Sequence, residues 1–125
     1  MAIKVLAIDD EEDYRVIIRD VLEGAGYEVK VSHNGQEALE GLESFKPEVI
    51  LVDWMMPVMD GQTFVRNVRK IKSFKDLPII MLTIKQTSDD ELEALHFGED
   101  DFIVKPFEAD DLLSRMRAVL RRANS

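Results

Sequence analysis

Asp9, Asp10, Asp53, Thr83 and Lys105 are the residues of this chain whose types and places could do chemistry together. Each stands where a short aliphatic run ends. Ile3 to Ile8 runs into Asp9 and Asp10, Val49 to Val52 into Asp53, Ile79 to Leu82 into Thr83, and Phe102 to Val104 into Lys105. Runs that are apolar on both faces suit the buried strands of a parallel sheet, whose ligands bind beyond the carboxyl ends of the strands. Three carboxylates, one hydroxyl and one ammonium are therefore predicted to converge on one rim. Like charges about 4 Å apart repel by about 4 kcal/mol at an effective dielectric of about 20, so that rim needs a counter-charge. Mg2+, a hard cation that prefers oxygen and retains waters, fits better than zinc. Magnesium held by carboxylates commonly binds phosphates, and an aspartate can attack phosphorus to give an acyl phosphate. Phosphoryl transfer asks mainly for alignment and charge neutralisation. The cation and Lys105 would neutralise the equatorial oxygens, and the Thr83 hydroxyl would donate to one of them.

Plainer readings stand beside these. Asp9 and Asp10 could cap the first helix. Asp53 could be an ordinary loop carboxylate, Thr83 a β-branched strand residue, and Lys105 a stem laid along the surface with its head in water. These readings weaken together, because each chemical type falls at a strand exit. His33 and His96 lie away from those exits and are read as surface or helix residues.

The elements that must position these residues alternate. Between the aliphatic runs, with Val29 and Val31 marking a weaker one, lie apolar residues at helical spacing. Tyr14, Ile17, Ile18, Val21 and Leu22 form one stripe, ended by Gly24 and Gly26. Ala38, Leu39 and Leu42 mark a second helix opened near Asn34 and Gly35, and Phe64, Val65 and Val68 a third after Asp60 and Gly61. Leu92 and Leu95 mark a fourth, with Ser88 and Glu91 spaced as a capping box. Leu112, Leu113, Met116, Val119 and Leu120 mark a fifth. This β-α alternation predicts an α/β fold, an open parallel sheet with helices on both faces and right-handed crossovers. Pro57 and Gly61 bracket a loop after Asp53, where Gly61 is expected to be free to take positive φ. Trp54, Met56 and Met59 are expected to pack or lean on the rim, and Met55 to matter through its backbone.

The bulk numbers bound the function. A chain of 125 residues fits one domain with one core. With 16 Lys plus Arg against 25 Asp plus Glu, its formal charge is −9, which speaks against nucleic-acid binding and against docking on anionic membranes. The absence of cysteine excludes disulfides, thiolate zinc sites and cysteine nucleophiles. The first apolar run is too short for a signal peptide or membrane helix, so a cytoplasmic location is expected.

Four stretches together resemble the receiver domain of bacterial two-component response regulators. They are Ile8 to Glu11, Val52 to Gly61, Pro78 to Thr83 and Gly98 to Phe107, and the likeness spans essentially the whole chain. It implies a flavodoxin-like (βα)5 fold with strand order 2-1-3-4-5, and a single receiver domain over residues 1–125 with no output domain. It also implies a phosphorelay switch rather than an enzyme, catalysing only its own phosphoryl transfer and autodephosphorylation. Asp53 would be the phosphoacceptor and Asp10 a direct ligand of Mg2+, for which Mn2+ could substitute. Asp9 would reach the metal through water, and the Met55 backbone carbonyl would be a further ligand. Lys105 would bridge to the phosphoryl group, with a cis bond to Pro106. In the implied switch, Thr83 moves inward and Phe102 turns into the vacated space. The surface of the fourth helix, fifth strand and fifth helix changes, and a downstream protein or effector domain reads it. The implied donor is a sensor histidine kinase or phosphotransfer protein, docked near Arg15 and Arg19 on the first helix.

Three residues depart from the family pattern. Ile84 stands where a small residue is usual, and its branched side chain could narrow the approach to Asp53. Phe102 lacks the hydroxyl of the frequent tyrosine, and Glu99 replaces a commonly small residue. Other classes fit less well. A haloacid dehalogenase phosphatase wants Asp-x-Asp, whereas these aspartates are adjacent. A flavodoxin-type flavin module wants a phosphate-cradling loop, where Asp9 to Asp13 would repel phosphate. An interaction domain with a dead site would not need Asp10, Asp53, Thr83 and Lys105 all present.

Overall fold

The computed structural model describes residues 2–84 and 101–123. Their order is β1 (Lys4–Ile8), α1 (Glu12–Gly24), β2 (Glu28–Ser32), α2 (Gly35–Phe45), β3 (Val49–Asp53), α3 (Gly61–Arg69), a 3-10 turn (Lys72–Phe74), β4 (Ile79–Ile84), β5 (Asp101–Lys105) and α4 (Ala109–Ala123). The helix predicted around Leu92 and Leu95, its capping residues Ser88 and Glu91, His96 and Glu99 lie outside the described residues.

The strands form one sheet in the order β2-β1-β3-β4-β5, and every neighbouring pair is parallel. This is the predicted topology. The uninterrupted aliphatic runs have a simple cause. Alternate residues of a strand face opposite sides, and both sides of this sheet are covered. Leu6, Ile8, Ile50, Val52, Ile79 and Met81 pack with Ala38 and Leu42 of α2 and Phe64, Val65 and Val68 of α3. Val5, Ala7, Val49, Leu51, Ile80 and Leu82 pack with Ile18 and Leu22 of α1 and Leu112, Met116 and Val119 of α4. Burying the Leu, Ile, Val or Phe side chains of these layers contributes about 1.5–3 kcal/mol each relative to exposure.

Caps fix where two helices begin. The Asn34 side chain accepts from Glu37 N at 2.8 Å, and the Asp60 side chain accepts from Thr63 N at 2.8 Å. The stripe of α1 is narrower than predicted: Ile18 and Leu22 are buried, whereas Ile17 is 46% exposed.

Gly61 corrects another expectation. Its φ is not positive; the left-handed residues of this loop and of the α2 terminus are Val58 (φ 73) and Lys46 (φ 54). What Gly61 lacks is room. A Cβ there would lie 2.7 Å from the Asp53 carbonyl oxygen and 2.8 Å from Trp54 Cα. Both are backbone atoms and cannot swing aside. Gly61→Ala is therefore expected to destabilise the protein by about 1–3 kcal/mol, as overpacked sites do. The shift would be read from urea unfolding midpoints, and an unchanged midpoint would refute it.

Candidate functional site

The carboxyl ends of β1, β3 and β5 bring the predicted residues together. Asp9 follows β1 and is fully buried. Its N–H donates to the Ser32 carbonyl at the end of β2 at 3.1 Å. Its Oδ1 accepts from Glu11 N at 2.9 Å, and its carbonyl accepts from Arg15 Nη1 at 2.7 Å. These bonds hold the turn into α1, whose N-cap is Glu11 without any side-chain cap. The helix-capping reading of Asp9 and Asp10 is thereby set aside: Asp9 braces the loop, and Asp10 is exposed.

Asp53 is the last residue of β3 and only 4% exposed, so it is no ordinary loop carboxylate. Its Oδ1 accepts from Met55 N at 3.4 Å. The Met55 side chain is exposed. Lys105 closes β5 and is 4% exposed, so its head does not reach water. Its Nζ lies 2.7 Å from Asp9 Oδ2, 3.5 Å from Asp53 Oδ2 and 3.6 Å from Glu11 Oε1. The peptide bond from Lys105 to Pro106 is cis.

Thr83 is buried on β4 and pairs in register with Val104. By strand alternation it shares a face with Met81, the register partner of Phe102. Phe102 is half-buried and packs on the cluster of that same face. Ile84, the residue after Thr83, is 41% exposed at the strand end. His33 is on the surface, paired with Glu37 at 2.8 Å, as expected of a residue with no part in the site.

Charge dominates this rim. Oxygens of Asp9, Asp10, Glu11 and Asp53 all lie within 4.8 Å of one another. Burial, together with the Asp9 and Asp10 carboxylates, pushes Asp53 up to about 7, against the pull of Lys105 and of the Met55 amide. For Lys105, burial pulls downward, but Asp9, Asp53 and Glu11 outweigh it and hold the ammonium above its ordinary range. One ammonium does not balance four carboxylates. The buried Asp9 Oδ2 and Lys105 Nζ meet as an ion pair at 2.7 Å. An all-oxygen cluster with a deficit of positive charge fits a hard divalent cation.

Two members of this neighbourhood were not singled out by sequence reasoning. Glu11 joins the carboxylates; its adjacency to Asp10 was the available signal. Tyr14 places its ring 4.1 Å, centroid to Nζ, from Lys105. No sequence signal marks that contact, because it depends on how the Lys105 side chain reaches from β5 toward Asp9 and the start of α1. Among the described residues, no helix is long and apolar enough to cross a membrane.

Comparison with known proteins agrees with this geometry. Residues 5–117 match the family described as "Response regulator receiver domain". The phosphate regulon transcriptional regulatory protein PhoB of Pseudomonas aeruginosa is 42% identical over 118 residues, 94% of this chain and 52% of that protein. Response regulator MprA of Mycobacterium ulcerans is 39% identical over 122 residues, 98% of this chain and 52% of its own length. The chain thus spans about half the length of these curated relatives. The crystallised chemotaxis protein CheY4 of Vibrio cholerae superimposes with a TM-score of 0.87 at 38% identity, covering 95% of this chain and 99% of that one. Receiver domains are signalling domains that histidine kinases phosphorylate on aspartate, and they bind Mg2+ in an acidic pocket. With the fold, the strand-exit residues and the family match in agreement, this chain belongs to the response regulator receiver domain family.

Proposed function

We propose that residues 1–125 act as a phosphorelay switch whose phosphoacceptor is Asp53, and that its output lies with a partner protein or an effector domain. The observation that carries this reading is the buried Asp53 carboxylate, 3.5 Å from Lys105 Nζ and clustered with Asp9, Asp10 and Glu11. The donor is the phosphohistidine of a sensor histidine kinase or phosphotransfer protein, docked near Arg15 and Arg19. An Asp53 oxygen bonds to phosphorus as the phosphorus–nitrogen bond breaks, and the imidazole leaves with the bonding pair. Lys105 reaches the incoming phosphoryl oxygens from its place beside Asp53. The Thr83 hydroxyl donates to another of them.

Bound Mg2+, or Mn2+ in its stead, would supply the positive charge that keeps Asp53 ionised and offsets the phosphoryl oxygens. Its ligands on this reading are Asp10, Asp53 and the Met55 carbonyl, with Asp9 reaching it through water. Recruitment of Thr83 leaves space into which Phe102 turns, which alters β5, α4 and the predicted fourth helix for a partner to read. Water attack on phosphorus later returns the aspartate. The domain is read as cytoplasmic, and its net charge of −9 supports a surface that contacts neither nucleic acid nor membrane.

Intact-mass measurement after acetyl phosphate plus magnesium tests the assignment. The wild type is expected to gain one phosphoryl group and Asp53→Asn none; incorporation in Asp53→Asn would overturn it. A second expected outcome concerns Ile84. Its branched side chain stands at the strand end beside Thr83, so Ile84→Ala should take up acetyl phosphate faster and lose its phosphoryl group to water faster. Equal rates in both proteins would show that Ile84 does not guard the site.

A further inference from the structure

We infer that Tyr14 is a positioning residue for phosphoryl acceptance: its aromatic face seats the Lys105 ammonium beside Asp53. The inference rests on reading Asp53 as the acceptor and adds a residue that this reading does not contain. Nζ lies 4.1 Å from the Tyr14 ring centroid, well inside the roughly 6 Å over which a ring face attracts a cation. That attraction strengthens when the pair is removed from water, and the Lys105 side chain is only 3% exposed. Tyr14 stands in the first turn of α1, just beyond the loop that carries Asp9, Asp10 and Glu11. The Phe107 ring meets it at 5.8 Å between centroids, inclined by 43°. One half-buried side chain therefore touches both residues that flank Pro106.

The chemistry favours a ring in this place. Lysine is a point charge on a flexible four-carbon stem, and three carboxylates at unequal distances draw Nζ in different directions. A further acidic partner would fix the head but would also compete with phosphoryl oxygens for its charge. A ring face narrows the positions the head can take and leaves its charge available to an incoming anion. The ring's electron density, rather than its bulk alone, would then set how often Lys105 is in place.

The test compares Tyr14→Phe, Tyr14→Leu and a protein carrying trifluorinated phenylalanine at position 14. All use the full chain with acetyl phosphate and magnesium, and phosphoryl incorporation is followed by intact mass. Tyr14→Phe should keep the wild-type rate within about twofold, and Tyr14→Leu should lose about tenfold. The fluorinated ring, which keeps the shape of phenylalanine but withdraws its face density, should fall severalfold below Tyr14→Phe. In NMR spectra, the Lys105 ε-methylene protons should be shifted upfield by the ring in wild type and Tyr14→Phe, and not in Tyr14→Leu. Equal rates for phenylalanine and its fluorinated form would reduce Tyr14 to packing and overturn the inference. The comparison of those two rings decides the matter even if Tyr14→Leu fails to fold. A wild type that takes up no phosphoryl group would instead sink the reading of Asp53 itself.

Discussion

Asp53→Asn is expected to stabilise the metal-free protein at about pH 8 by an amount on the order of 4 kcal/mol, and to have little effect near pH 4. The aspartate is 4% exposed, and burial beside Asp9 and Asp10 raises its pKa from 3.8 to about 7. Between those two values the folded protein holds a proton that the unfolded chain has released. Stability must then fall as pH rises through that window, because the native state binds more protons there. A shift of one pKa unit corresponds to about 1.4 kcal/mol, which gives the size of the full effect above pH 7. Asparagine keeps the shape and carries no charge, so it escapes the penalty. Urea unfolding of both proteins at several pH values in the presence of a chelator would check this. Parallel midpoints at every pH would mean that Asp53 carries no folded-state strain. On the proposed ligand set, magnesium should narrow the gap, since a ligand of the native state stabilises it by mass action and asparagine would offer the ion one charged oxygen fewer.

How much of this was readable beforehand differs from residue to residue. Asp9, Asp53 and Lys105 could be placed because strand exits in a parallel sheet share one edge, so an aliphatic run followed by a charged residue fixes a location in space. Asn34 and Asp60 could be placed as helix starts because a side-chain cap is a local interaction. Gly61 was misjudged for a converse reason. Sequence shows that a glycine is present but not whether φ or close approach demands it, and here it is contact with the Asp53 carbonyl and Trp54. Ile17 was assigned to the buried stripe by spacing alone, but the width of a stripe depends on what lies across from it. Tyr14 lies further still from local reading. Its value comes from Lys105, 91 positions later by the difference of their numbers, and only the reach of the Lys105 side chain from β5 toward Asp9 and the start of α1 brings the two together.

Lys105→Met is the harsher change, with an expected destabilisation of about 3–5 kcal/mol near neutral pH. Methionine keeps much of the stem's volume, so the loss is mainly electrostatic. Among the described residues, Lys105 Nζ is the side-chain cation within ion-pairing reach of the Asp9 carboxylate, and Asp9 has no exposure through which water could replace it. Removing one partner of a buried pair leaves the other charge uncompensated, and such changes fall in this range. That is a large share of the roughly 5–15 kcal/mol by which a domain is stable. The loss should shrink as pH falls, because protonated carboxylates no longer repel, and Asp53 should move above its value of about 7 once the Lys105 attraction is gone. Magnesium should raise the unfolding midpoint of Lys105→Met more than that of the wild type, since ion and ammonium answer the same charge deficit. Denaturant unfolding across pH, with and without magnesium, resolves all three effects. A loss under about 1 kcal/mol with no pH dependence would mean that removing the ammonium leaves no uncompensated charge behind, and the electrostatic account of the rim would fail with it.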